Sequence, residues 1–487
     1  MQSRRDRAQA HDFMMGRLGT AMLEADPNAV DAPLRRTRNT LYTGLAVGAV
    51  LCVGFLVFGL LFPGGAASWR QEGRLILVRD TGASYLYSQG VLRPVDNYAS
   101  ARLIQGEGMT VSLVREASLE GVPRGGPVGI PAAPDSLPTG EVGTVWRLCA
   151  VTPAGEAAHR TSLTLDGAEG TVVPPPEYAV AVVGPDERHH LLWADRRLEL
   201  DVAGGAVEAL GYGTVPALPV SDSFLAAVPE GPRLAAPEVP GLGETSDAAG
   251  LEEHRVGTLF TVPSGNGAAQ DYLLGDRGLV PLTVTEAALL LASPAVREEV
   301  YTGSEPEAVP LAAGEVRGLL APGAGAGEAL APGLPAVPPE AVPEGSGNPC
   351  LVVGPSGERS LALSPDASIT ALPVQQVPGI SPGCPTPDLV GVPAGGGALV
   401  RASPEAGASD APTYYLVTED AAKFPLLDAD TVAALGYTEE GAVTTPNSIL
   451  RLLPTGPVLH PGLAAQPLTP PQDPAAQPCP GQAQEAV

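Results

Sequence analysis

Twenty-two consecutive residues without a charge, Leu41 to Phe62 (LYTGLAVGAVLCVGFLVFGLLF), limit what this chain can become more than any other feature. As a helix rising about 1.5 Å per residue they reach roughly 33 Å, enough to cross a hydrocarbon core of about 30 Å. Arg35, Arg36 and Arg38 stand just before the stretch, and the first basic residue after it is Arg70. Arginine is retained on the cytoplasmic side, so the short N-terminal arm is expected inside and the bulk of the chain outside. Gly64 and Ala66 are small enough for a signal-peptide cleavage site, the competing reading. The apolar run exceeds the roughly 7 to 15 residues of such a signal and follows a long arm, so an uncleaved single-pass anchor is expected.

Charge divides at the same place. Residues 1–40 hold seven arginines and five acids, a net +2; the remainder holds 21 basic and 49 acidic residues, a net −28, and the whole chain is −26. The outer part lacks the cationic surface that nucleic acid or anionic lipid requires, so no nucleic-acid partner is expected. Hydrophobic residues at 44% suffice for a core, and aromatics at 4% make it aliphatic. With 59 Gly and 53 Pro, long loops should separate the packed units.

In the arm, Phe13, Met14, Leu18, Ala21 and Met22 have the spacing of a short amphipathic helix, either locally packed or a docking element for a cytosolic partner or the membrane surface. Beyond the anchor, Leu75 and Leu77, then Tyr85 and Tyr87, alternate as strands do around an Asp80-Thr81-Gly82 turn. This pattern returns. Tyr85-Leu86-Tyr87 leads to Leu92-Arg93-Pro94-Val95, and Tyr272-Leu273-Leu274 leads to Leu279-Val280-Pro281-Leu282 without a gap. His190-Leu191-Leu192 leads to Ala209-Leu210-Gly211-Tyr212, as Tyr415-Leu416-Val417 leads to Ala434-Leu435-Gly436-Tyr437. Each copy reads as strand, turn, strand and short helix, with Gly211 or Gly436 as C-cap.

Between the members of each pair lies a cysteine in matching context: Cys149-Ala150-Val151-Thr152-Pro153 and Cys350-Leu351-Val352-Val353-Gly354-Pro355. The order amounts to an internal duplication with halves 72–230 and 255–460. Halves related by a pseudo-two-fold axis would bring both cysteine strands into one central sheet. The expected domains are a cytoplasmic arm 1–40, an anchor 41–62, repeats at 72–120, 186–230, 255–300 and 411–460, central β segments at 121–185 and 301–410, and a disordered tail 461–487. The Pro- and Gly-rich stretches Pro229–Gly250 and Ala321–Gly347 are expected as exposed loops.

Several further motifs carry a family resemblance. Ser3-Arg4-Arg5-Asp6 with Gln9-Ala10-His11, Pro33-Leu34-Arg35-Arg36 before the anchor, Ser100-Ala101-Arg102-Leu103-Ile104, Pro123-Arg124-Gly125 with Val128-Gly129-Ile130-Pro131, Ala133-Pro134-Asp135, and Leu452 to Leu459 resemble EccB. EccB is the membrane core component of actinobacterial type VII secretion systems. The resemblance covers residues 1 to about 465. It implies a bitopic protein whose α+β extracytoplasmic region sets four small repeat domains around a central β domain, held by a disulfide that maps to Cys149 and Cys350. It also implies assembly with EccC, EccD, EccE and a mycosin protease in a multimeric inner-membrane complex exporting folded helical substrates. An oxidising compartment outside the membrane independently favours the disulfide. Cys384 and Cys479 are left over outside and offer a second pairing. Cys52, inside the anchor, reads as a small apolar residue.

Catalytic motifs are sparse. A P-loop needs a lysine in G-x-x-x-x-G-K-[ST], and the only lysine lies in Ala421-Ala422-Lys423-Phe424-Pro425. Gly379-Ile380-Ser381-Pro382-Gly383 fits G-x-S-x-G, but Pro382 has no N–H to donate to an oxyanion hole. His189 and His190 are adjacent and face opposite sides of a strand, and Glu298-Glu299 has no base or nucleophile nearby. No catalytic, cofactor or metal residue is assigned. The expected function is a structural core subunit of a type VII secretion complex; the alternatives are an ATP-hydrolysing component, from family-level assignment, and a cell-wall-binding protein whose repeats give avidity.

Overall fold

The computed structural model describes residues 4–24, 33–61, 68–139, 144–152, 159–165, 169–263, 269–323, 330–365, 371–403 and 413–470. They fall into two compact units, Met1–Gln71 with Ile76–Gly82 and Ser112–Gly121, and Glu72–Leu75 with Ala83–Val111 and Val122–Val487. The smaller unit holds the N-terminal helices. Arg4–Glu24 exposes Phe13, Met14, Met15, Leu18 and Met22, the last at 82%. Phe13, Met14 and Met15 are consecutive, and at about 100° per residue they spread around the axis, so this helix lacks the single apolar face expected of an amphipathic one. Helix Pro33–Leu61 contains Asn39–Phe58, 20 residues of mean hydropathy 2.2, long and apolar enough to span a membrane.

Three sheets of the larger unit share one strand order. Their strands are Tyr178–Val183, His189–Trp193, Arg196–Glu199 and Leu218–Pro219; Leu259–Pro263, Ala269–Gly275, Gly278–Pro281 and Val309–Pro310; and Gly397–Ser403, Tyr414–Thr418, Lys423–Leu426 and Val443–Pro446. Each sheet runs third, second, first, fourth. The first three strands form an antiparallel meander, and the fourth returns after a helix to lie parallel to the first. The larger unit opens with a hairpin of the same kind, Ser84–Ser88 with Val91–Pro94, followed by helix Tyr98–Gln105. Tyr85 faces Pro94 and Tyr272 faces Pro281, so the spacing that recurs in the sequence is one hairpin register used twice.

Local chemistry sets the helices. Asn97, Thr283 and Asp428 cap three of them through side chains that accept backbone N–H groups, and Glu286 completes a capping box with Thr283. Gly436 ends helix Ala429–Leu435 in the left-handed conformation, φ +91°, as expected. In the second repeat the helix ends at Ala209, Leu210 is the C-cap, and left-handed Gly211 follows it.

The central sheet has the order Arg359–Ser364, Asn348–Val353, Trp146–Val151, Arg160–Thr164, Leu389–Gly391, Leu372–Pro373. Its first four strands are palindromic. The two cysteine strands pair antiparallel at the middle, with Cys149 opposite Cys350, and each is flanked by its own hairpin partner, Ser162 facing Cys149 and Ala362 facing Cys350. Alternation sorts the faces: Trp146, Leu148, Leu351 and Val353 enter the largest core cluster, while Cys149, Val151 and Cys350 pack with Ala371 and Leu389 on the other side.

Repeats pair across the halves. Helix Tyr98–Gln105 packs on helix Ala429–Leu435, with Leu103, Val432 and Leu435 in one cluster and Arg102 Nε donating to Leu435 O at 3.4 Å. Leu210 and Tyr212 of the second repeat pack with Leu289 of the third. Both stretches expected as loops prove partly buried. Leu234 is fully buried, Ala331 N donates to the buried carboxylate of Glu286 at 2.7 Å, and Glu340–Ala341 pair with Tyr178–Ala179. Their Pro and Gly content disfavours regular helix yet leaves backbone groups available to pair with existing strands.

Candidate functional site

The element that joins the two halves is the cysteine pair at the centre of the palindromic sheet. Cys149 and Cys350 form a disulfide with Cα atoms 4.0 Å apart, closing a sequence separation of 201. Both are buried, Cys350 completely. Trp146 Nε1, on the same strand, donates to Thr445 Oγ1 at 2.9 Å and anchors the fourth repeat to the sheet. For the suggested second pair, Cys384 N donates to Arg451 O at 2.8 Å, and Cys479 lies outside the described residues. Cys52 is a free cysteine in the apolar helix.

Around this centre the repeats must close their edges. An exposed edge strand offers unpaired N–H and C=O groups to any passing chain. Here a Pro-x-Gly segment returns to the hairpins of the first, second and fourth repeats. Leu92 N donates to Pro123 O at 2.9 Å and Gly125 N donates back to Leu92 O at 2.8 Å. Arg197 makes the same exchange with Pro229 and Gly231, both at 2.8 Å, and Lys423 with Pro454 and Gly456, at 2.8 and 2.9 Å. An apolar residue follows each clip and is buried: Val128, Leu234 and Leu459. Two of the glycines, Gly231 and Gly456, are required by close approach. A Cβ on Gly456 would come 2.2 Å from the Phe424 ring, and one on Gly231 would come 2.4 Å from Leu198. In the third repeat Ala321 N donates to Leu279 O at 3.0 Å.

Lys423 does more than clip. It is 7% exposed, and Nζ donates to Leu450 O at 2.5 Å and Leu453 O at 3.0 Å, 6.0 Å from the centre of the Tyr415 ring. Burial pulls its pKa down to about 8. Arg197, at the matching point of the second repeat, sends Nε to Val228 O at 3.3 Å. Sequence reasoning used Lys423 only to test for a phosphate-binding loop and passed over Arg197. Their shared place before Leu-Glu-Leu and Phe-Pro-Leu was the available signal.

The remaining candidates sit in structural positions. Ser381 of the G-x-S-x-G stretch exchanges backbone hydrogen bonds with Thr455, both at 2.8 Å. His190 is buried in its strand, and His189 is half-buried beside it. An apolar hollow of about 220 Å³ lies against Val173, Pro174, Tyr178, Leu192, Leu361 and Leu363, with no carboxylate, histidine or cysteine on its wall. Among the described residues no group of three or more His, Cys, Asp or Glu is placed to hold a metal.

Residues 1–467 match a family model described as the type VII secretion system ESX-1, transport TM domain B. The chain is 30% identical over 288 residues to the ESX-3 secretion system ATPase EccB3 of Mycolicibacterium smegmatis, covering 57% of this chain and 55% of that protein. It is 29% identical over 290 residues to the ESX-5 secretion system ATPase EccB5 of Mycobacterium tuberculosis, covering 56% of each. The match thus spans little more than half the length of these relatives. A chain in the structure of an intact ESX-5 inner membrane complex shares the fold, with a TM-score of 0.64, 23% identity and 98% of both chains covered. The EccB3 dimer of an ESX-3 core complex matches at TM-score 0.60 and 25% identity, over 80% of this chain and 99% of that one.

Proposed function

Since the chain belongs to the EccB family of type VII secretion systems, we propose that it is a structural core subunit of a secretion complex in the inner membrane. The family match over residues 1–467 carries this reading. Asn39–Phe58 supplies the single span, and the arginines at 35, 36 and 38 orient the arm to the cytoplasm and the body outward. The body acts as a scaffold of four repeats around the disulfide-tied sheet, a reading supported by the recurring strand order and clips. Its partners are further copies of itself, EccC, EccD, EccE and a mycosin protease.

The relatives carry ATPase in their names. In this chain the sole lysine is buried on two backbone carbonyls, away from the position a phosphate-binding lysine needs. A scaffold role follows from what the residues do: they close edges and join halves. Affinity purification of the full chain from membranes in mild detergent is expected to recover the partner subunits in one assembly. Recovery of the chain alone would overturn the reading. ATP turnover by the same preparation, compared with Lys423→Ala, separates intrinsic hydrolysis from that of a co-purified motor.

A further inference from the structure

The second and fourth repeats set a ring beside a cation at one shared point of the fold. Arg197 and Lys423 hold the clip position on their edge strands; His190 and Tyr415 hold the matching position on the adjacent strand, His190 opposite Glu199 and Tyr415 opposite Pro425. Both cations donate to the carbonyl just before the clip proline, Arg197 to Val228 O at 3.3 Å and Lys423 to Leu453 O at 3.0 Å. Each thereby ties down a return segment and the short helix before it, Asp222–Ala227 or Asn447–Leu450. Those helices bury Phe224 and Ile449 in the central core.

The two latches differ in the ring. A histidine gains a proton in mild acid and a tyrosine does not. His190 is 2% exposed, and its Nδ1 is buried without a hydrogen-bond partner among the described residues. The charged groups around it are Arg197 and Glu199 on the next strand, Asp186 and Arg188 in the preceding turn, and Glu230 and Arg233 on the return segment. Each of the three carboxylates already pairs with an arginine: Asp186 with Arg188 at 3.1 Å, Glu199 with Arg233 at 3.4 Å, Glu230 with Arg197 at 3.4 Å. Burial first, and then the Arg197 guanidinium, hold the His190 pKa below its ordinary value.

We propose that His190 makes the latch of the second repeat acid-sensitive: protonating its ring sets a second cation against Arg197 and releases the return segment from Val228 to Leu234, while the tyrosine–lysine latch of the fourth repeat stays closed. Release uncovers the edge strand Arg196–Glu199, an edge able to accept a strand from another chain. The sign follows from linkage. A folded-state pKa below the unfolded one means the open form binds more protons, so closure is stable above the unfolded value and weakens as pH falls through it.

Amide hydrogen exchange on the full chain in detergent, corrected for the intrinsic pH dependence of exchange, tests this at about pH 7.5 and about pH 5.5, either side of the ordinary histidine value of about 6.5. Opening of residues 228–235 is expected to rise up to about tenfold, and that of residues 453–460 by less than about twofold. His190→Tyr, which copies the fourth repeat, removes the response, and His190→Phe does so without adding a hydroxyl. An equal response in both segments, or a response surviving in either variant, would overturn the proposal.

Discussion

In the fourth repeat the glycine that lets the return segment touch the edge strand sits on the return segment, at Gly456; in the third it sits on the edge strand, at Gly278. A Cβ on Gly278 would meet Leu319 O at 2.5 Å and Ala321 N at 2.8 Å, and the residue is at φ +134°. The segment facing it then carries an ordinary alanine, Ala321. What the fold requires is one missing side chain at the point of contact, and either strand can supply it. The fourth repeat adds a buried cation at the clip, Lys423, where the third has Leu279, an apolar residue with no carbonyl to hold.

Removing the centre shared by both repeats should have the largest effect. Cys149→Ser with Cys350→Ser is expected to cost about 5 kcal/mol through the released loop-closure entropy. Urea unfolding of the outer body would show both halves losing stability together; a loss confined to one half would mean the halves fold apart. Next comes the cation. The folded pKa of Lys423, about 8, lies below the ordinary 10.5, so between those values the unfolded chain binds more protons. The burial cost is present in full below the lower value and is relieved as pH rises. The fourth repeat should gain about 3 kcal/mol across that window. Unfolding midpoints for the native chain and Lys423→Met, compared at the two ends, should differ only by this gain.

The glycines sharpen the contrast further. Gly278→Ala and Gly456→Ala should each cost about 2 kcal/mol, with Gly278 the more severe because it meets backbone while Phe424 can shift. A neutral Gly456→Ala would show that close approach is not why glycine stands there. The smallest effect belongs to Ala321→Gly, expected below about 1 kcal/mol and arising in the unfolded state. Chemical denaturation of this series would rank all three.

Much of the local architecture was legible beforehand. Tyr85 to Pro94 and Tyr272 to Pro281 share a spacing because they share a hairpin register, and Gly436 marks a helix end because only the left-handed conformation closes it. The membrane helix showed in length and lack of charge. Pro229–Gly250 misled because loop-like composition describes what a segment does alone. Gly231 has no side chain so that it can lie against Leu198, a residue on a strand already formed. Lys423 looked like a failed phosphate ligand because nothing nearby in the chain marks Leu450 O and Leu453 O as its acceptors.

By itself, then, the sequence determined the long apolar helix, the shared hairpin register and the helix end at Gly436, all of which rest on contacts within a few residues or on resemblance between segments. Tertiary structure alone decided that the first repeat packs on the fourth and the second on the third, that glycine moves from clip to edge in the third repeat, and that histidine and tyrosine occupy equivalent latches. The reason is physical. Periodicity and capping record interactions at short chain separation, whereas close approach and burial depend on which distant surface arrives, and that is settled only when the core closes.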